Sequence, residues 1–276
     1  MRKRTNDTAA RHDVVDLRTS VDSLQRGLEI LRTFRAGDNS LSVGELATRT
    51  GLPRPTVARL VNTLAAQRFL CAIPGTDRYR ADVACQSVGR ALLASHALVQ
   101  AGSAGVRALA ERFSVDASIA VPERLDMMCV AQSRRAADAA HDALGPVEAL
   151  TMTGALRPIV ATSAGRAWLW SQPAPLQGEM VQSIRADATA RGGAVAMPQI
   201  YRAFQELEER GYCMQSGEGS PRLAALAAPI AVAGQRGGAL TCYIATSRAD
   251  FAALTETLGN EMIALAQQIG RSAAVL

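Results

Sequence analysis

The chain has 276 residues, 48% of them hydrophobic and 20% charged, which is the composition of a globular protein long enough for two domains and not of a disordered one. Its five cysteines (Cys71, Cys85, Cys129, Cys213, Cys242) are odd in number and scattered without CxxC spacing, and no apolar run reaches about 18 residues, so the pattern excludes a disulfide framework, a structural zinc site and a membrane span. Residues 1–90 carry 15 Lys+Arg against 9 Asp+Glu and the remainder 15 against 16, so the surplus positive charge sits in the first third and points to a polyanionic partner there.

Residues 1–19 are polar and without a sustained period, and read as a flexible arm. The start Met1-Arg2-Lys3-Arg4 has no apolar core behind it, so no secretory signal is expected and the protein is assigned to the cytoplasm. Leu24, Leu28, Leu31 and Phe34 then recur at helical spacing, with Arg26, Glu29, Arg32 and Arg35 expected outside and Gly37 as a C-terminal cap. Ser42-x-x-Glu45 is a capping box that opens a second helix, which Gly51 breaks. A third helix, from Arg54 to Gln67, carries Val57, Leu60, Val61 and Leu64 on one face. Phe69–Ile73, the turn Pro74–Asp77 and Arg78-Tyr79-Arg80 read as a β-hairpin. Helices follow at 82–96 and 100–113. Beyond them strands (118–121, 127–131, 224–232, 239–246) mix with helices (161–170, 199–210, 251–271), an α+β pattern.

Ala47, Gly51 and Val57 stand at offsets 0, +4 and +10, which is what a helix-turn-helix requires. The first must be small under the crossing helix, the second must accept a left-handed turn, and the third must fill the space between the helices. The third helix would then enter the major groove by its N-terminus. Arg54, Pro55 and Thr56 lie at that end, where free N–H groups favour a phosphate. Arg59, one turn on and facing away from Val57, is the best candidate for reading a base. Arg78 and Arg80 flank the hairpin, or wing, and would touch phosphates or the minor groove.

The stretches VDSLQRGLEILRTF, LSVGELATRTGLPRPTVARLVNTLAAQRFL, LRPIVATSAGRAWL, ELEERGY and LAALAAPIAV, in this order and spacing, resemble the IclR family of bacterial transcription regulators over about residues 21–270. Within it the chain looks most like regulators of aromatic-acid catabolism. It departs from the family where the wing ends in RYRADVACQ, and after Gly211-Tyr212, where only Glu218 is acidic. The resemblance implies a winged helix-turn-helix (20–81), a linker helix (82–99) and a GAF-like α/β effector domain (100–276). It also implies a homodimer or homotetramer on a palindromic double-stranded DNA operator. A small, aromatic or carboxylate effector would sit among Thr162, Ser163, Ala164 and Gly165, with Leu223 and Ala225 on one strand and Cys242, Ile244 and Thr246 on the next. Ser163-Ala164-Gly165 opens a helix whose N–H groups suit an anion, and Cys242, Ile244 and Thr246 share one strand face.

No GxSxG, HExxH or P-loop is present, and His141 with Asp138 and Asp142 reads as an exposed loop, so neither an enzyme nor a cofactor or metal site is expected. The alternative to a ligand-responsive regulator is a DNA-binding protein without an effector, whose second domain serves only oligomerisation.

Overall fold

The computed structural model describes residues 21–35, 37–134, 152–190, 193, 195–218 and 220–276. The chain divides into two compact units, Met1–Arg90 and Ala91–Leu276.

In the first unit α1 (Asp22–Arg32), α2 (Val43–Thr50) and α3 (Arg54–Ala66) close on Ile30, Leu46, Val57 and Val61. β1 (Leu41–Ser42), β2 (Leu70–Ala72) and β3 (Arg78–Ala81) form an antiparallel sheet in the order β1-β3-β2, and Leu41 and Leu70 join the same core. The expected hairpin is therefore a three-stranded wing. The face of α1 differs from expectation. Gly27 and Ile30 are buried, whereas Leu24 and Leu28 are 61% and 49% exposed. Leu24 and Leu28 lie on a different side of the helix from Gly27 and Ile30, which face the core, and Leu31 packs partly against it. α1 also ends at Arg32, before Gly37.

The unit boundary falls within α4 (Val83–Ser95), which has no buried residue. In the second unit β4 (Asp116–Glu123), β5 (Asp126–Ser133), β6 (Leu156–Pro158), β7 (Cys213–Ser216), β8 (Leu223–Ile230) and β9 (Gly238–Ala245) form one antiparallel sheet in the order β6-β5-β4-β9-β8-β7. α5 (Ala97–Phe113) and α9 (Phe251–Ala273) cover one face through Val106, Leu258, Met262 and Ile269, packed on Leu226, Leu240, Cys242 and Ile244. α6 (Ser163–Trp170) and α8 (Met197–Arg210) cover the other through Trp168, Leu169, Ala203 and Leu207, packed on Ala227 and Ala239; α7 (Ala174–Ala190) adds Ile184. A sheet covered on both faces buries both parities of its central strands, so β8 and β9 are buried along almost their whole length instead of alternating between buried and exposed. The architecture is the expected winged helix-turn-helix followed by an α+β domain.

Candidate functional site

Three local devices build the helix-turn-helix. The Ser42 hydroxyl accepts the Glu45 N–H at 3.2 Å, and the Glu45 carboxylate accepts the Ser42 N–H at 2.7 Å. These bonds, with Arg78 beside them, hold the Glu45 carboxyl below the usual carboxylate range. Gly51 ends α2 at φ +71°, its N–H donated to the Ala47 carbonyl at 2.9 Å, a conformation that a Cβ would strain. α3 then begins at Arg54 after Pro53, with no side chain capping its first turn. The remaining N–H donors of that turn stay available to a partner.

On α3, Val57 and Val61 point into the core, while Arg54, Pro55 and Arg59 are exposed and Thr56 is half-buried. Arg59 shares an open groove between α1 and α3 with Thr56, Thr63, Arg26 and the exposed Leu24 and Leu28. The Arg54 guanidinium lies over Gly44, where a side chain would collide with it. The two wing arginines part company. Arg78 donates from Nε to the Ser40 hydroxyl and from Nη2 to the Ser40 carbonyl, both at 2.8 Å, and lies 3.1 Å from the Glu45 carboxylate. It is thus tied to the start of α2. Arg80 is exposed, with no hydrogen bond or ion pair among the described residues.

In the second unit a small cavity of about 20 Å³ lies on the α6 face of the sheet. It is lined by Ser118 and Ala120 of β4, Met127 and Cys129 of β5, Arg157 of β6, Thr241 and Tyr243 of β9, and by Ala155, Thr162, Ala164 and Glu218. Of the residues expected around an effector, Thr162 and Ala164 line this space. Leu223 and Ala225 lie beside it, in a buried cluster with Tyr243 and Ala245. Ser163 and Gly165 instead build the local structure. The Gly165 N–H is donated to the Thr162 hydroxyl at 3.0 Å, and a Cβ on Gly165 would run into the Ile159 carbonyl.

Three expected residues do not line this cavity. Cys242 and Ile244 belong to the core under α5 and α9, on the opposite face from the cavity. Burial there drives the Cys242 thiol far above its usual range. Thr246 lies past the end of β9, exposed, bonded to the Arg222 carbonyl. The other parity of β9, the polar pair Thr241 and Tyr243, faces the cavity. That polarity was visible in the sequence and is the signal that separates the two faces.

Glu218 is 3% exposed, and its Oε2 accepts both the Ser163 N–H and the Ser163 hydroxyl at 2.9 Å. The start of α6, expected to receive an effector's carboxylate, holds the chain's own. Burial pushes the Glu218 carboxyl above its usual value, while the Ser163 bonds, Arg157 and Arg166 pull it the other way. Burial likewise raises the Tyr243 hydroxyl well above its ordinary value, and the Cys129 thiol to about 12. Arg157, Glu218, Thr241 and Tyr243 are not legible as one site in the sequence because they come from three separate segments that only the fold unites. Among the described residues no group of His, Cys, Asp and Glu could hold a metal ion, and no helix is long and apolar enough to cross a membrane. His141 lies outside the described residues.

Residues 23–71 match a family model for the IclR helix-turn-helix domain, and residues 90–271 match that for the bacterial transcriptional regulator IclR C-terminal domain. The HTH-type transcriptional regulator TsaQ1/TsaQ2 of Comamonas testosteroni is 27% identical over 192 residues, 70% of this chain and 66% of that protein. An IclR family transcriptional regulator from Brucella abortus is 26% identical in its crystal structure, with a TM-score of 0.78 over 92% of this chain and 93% of the other. An IclR homologue from Microbacterium hydrocarbonoxydans, solved in complex with 4-hydroxybenzoate, shares the fold at 17% identity, with a TM-score of 0.65 over 92% of this chain and all of the other. With the second domain alone covering more than half of the chain, the protein belongs to the IclR family of bacterial transcriptional regulators.

Proposed function

We propose that the chain is a cytoplasmic, ligand-responsive regulator that binds a palindromic double-stranded DNA operator as a homodimer or homotetramer. The observation that carries the DNA-binding reading is the outward face of α3, an uncapped helix start followed by Arg59, on a basic unit with a three-stranded wing. Arg59 reads a base, the first turn of α3 (Arg54, Pro55, Thr56) sits on phosphates, and Arg80 carries the wing's charge. Arg78 holds the wing in place. The protein acts through binding and not through catalysis.

The effector is a small, aromatic or carboxylate compound held on the α6 face of the sheet. The complex of the M. hydrocarbonoxydans homologue with 4-hydroxybenzoate supports an effector for this fold. A specific observation favours the second reading, a regulator without effector: the cavity of about 20 Å³ has room for one water, and Glu218 fills the helix start. An effector must therefore enlarge the cavity.

Selecting DNA from a random pool with the full chain, then titrating the selected duplex against scrambled DNA with and without a panel of aromatic acids, tests the whole reading. A palindromic consensus, and an acid that shifts its affinity, are the expected results. A selected consensus with no acid response leaves the effector-free reading standing, and no enrichment removes both.

A further inference from the structure

Thr241 is 1% exposed, and its hydroxyl is buried without a hydrogen-bond partner among the described residues. A buried hydroxyl left unpaired is costly and marks a place where a partner belongs. It lines the same cavity as Arg157. Arg157 stands opposite Met127 in the β5–β6 register, so the two side chains share a sheet face. Its guanidinium makes no hydrogen bond or ion pair among the described residues. Glu218 and Tyr243 line the same cavity. The cavity therefore presents a cation with a planar fork of donors and an unsatisfied hydroxyl, beside the apolar Ala120, Met127, Ala155 and Ala164.

An anion entering this space has two places to bind. To reach the start of α6 it must evict Glu218 from Ser163 and leave a buried carboxylate unpaired. To reach Arg157 and Thr241 it displaces no bond described in the structure. We propose that Arg157 and Thr241 are the carboxylate-recognising pair of this cavity, while Glu218 stays on Ser163 as a fixed acidic wall that makes the site selective for monocarboxylates with an apolar body over dicarboxylates. The proposal rests on the effector reading above and names the residues and charge class of that site. Met127, unbranched and adaptable, is suited to yield the volume. The Arg157–carboxylate contact is a fork on a planar anion, which a lysine replaces only in part.

Calorimetry on the full chain with benzoate, terephthalate and benzamide decides it. Wild-type protein should bind benzoate and prefer it to the other two. Arg157→Gln should weaken benzoate at least about tenfold, with Arg157→Lys intermediate, and leave benzamide unchanged. Thr241→Val should weaken benzoate by about threefold to tenfold. Glu218→Gln should leave benzoate within about threefold but strengthen terephthalate about tenfold. Circular dichroism melts of each variant separate lost recognition from lost folding. Benzoate binding that survives Arg157→Gln, or that tightens tenfold in Glu218→Gln, overturns the proposal in favour of the start of α6 while leaving the effector reading intact. Failure of wild-type protein to bind any of these probes or a wider panel of monocarboxylates overturns both.

Discussion

Arg59 and Arg78 are both basic residues of a DNA-binding unit, and their surroundings assign them different work. Arg59 is exposed on a face of α3 whose opposite side is core. Its truncation should leave the fold alone and weaken binding to the selected duplex by about 1–3 kcal/mol, with preference relaxed at one base pair. Equal weakening on scrambled DNA, measured by anisotropy, would make it a phosphate contact instead. Arg78 bonds Ser40 and approaches Glu45. These groups are partly exposed, so Arg78→Ala should cost about 1 kcal/mol or less of stability. Arg80→Ala should instead lower the salt dependence of DNA binding by about one charge; an unchanged slope would detach Arg80 from the DNA. Glu218 gives a residue-scale pH prediction. Its pKa is raised in the folded chain, so between the ordinary Glu value and the folded one the folded state holds a proton that the unfolded state has lost. Stability contributed by this group is full below the unfolded value and falls as pH rises through that window. Tyr243, Arg157, Arg166 and Cys213 are the charged and titratable groups that act on it, and burial raises Tyr243 and Cys213 well clear of that window. Denaturant melts at stepped pH should show the decline in wild type and lose it in Glu218→Gln. A wild-type curve that rises across the window would reverse the sign of the shift.

At the scale of elements, those legible beforehand announce themselves by local chemistry. The capping box at Ser42 and Glu45 and the left-handed Gly51 are set by contacts within a few residues, so α2 and the turn follow from sequence alone. β1 and β6 were not legible. Each is two or three residues long and exists because a partner strand offers hydrogen bonds, Tyr79 to Leu41 and Met127 to Arg157. α7 was missed because Ile184 is its only buried residue, too little to impose a 3.6-residue period. The start of α6 was legible as a helix start, but the reason for its small residues was not. Gly165 is small so that α6 can lie on the Ile159 carbonyl. Gly165→Ala should therefore destabilise the second unit by about 1–3 kcal/mol through overpacking, read as a lower urea midpoint with an unchanged slope. Normal stability with weakened effector binding would return Gly165 to the ligand.

For the whole molecule, the division into a basic unit and a near-neutral one was already written in the charge count, because charge asymmetry needs no knowledge of contacts. The association state is not written there, and the expectation of a dimer comes from apolar side chains left exposed among the described residues. α4 buries none of its residues, and its Val83, Val88 and Leu92 are 60%, 60% and 48% exposed. α1 presents Leu24 and Leu28 in the same way. Isolated apolar residues on a surface are ordinary, but a thirteen-residue helix with three large apolar side chains exposed and none fully buried has less of the packing that stabilises most helices in proteins. A second copy related by a two-fold axis would cover it and would set two α3 helices on two half-sites of a palindrome. Light scattering at micromolar concentration should give at least the dimer mass. Val88→Glu with Leu92→Glu should shift that mass toward the monomer and weaken binding to a full palindrome far more than to a single half-site, since only the full site gains from linking two recognition helices. A double variant that keeps the wild-type mass and full-site affinity would move the interface away from α4, and a monomeric wild-type protein, with and without DNA, would remove the dimer.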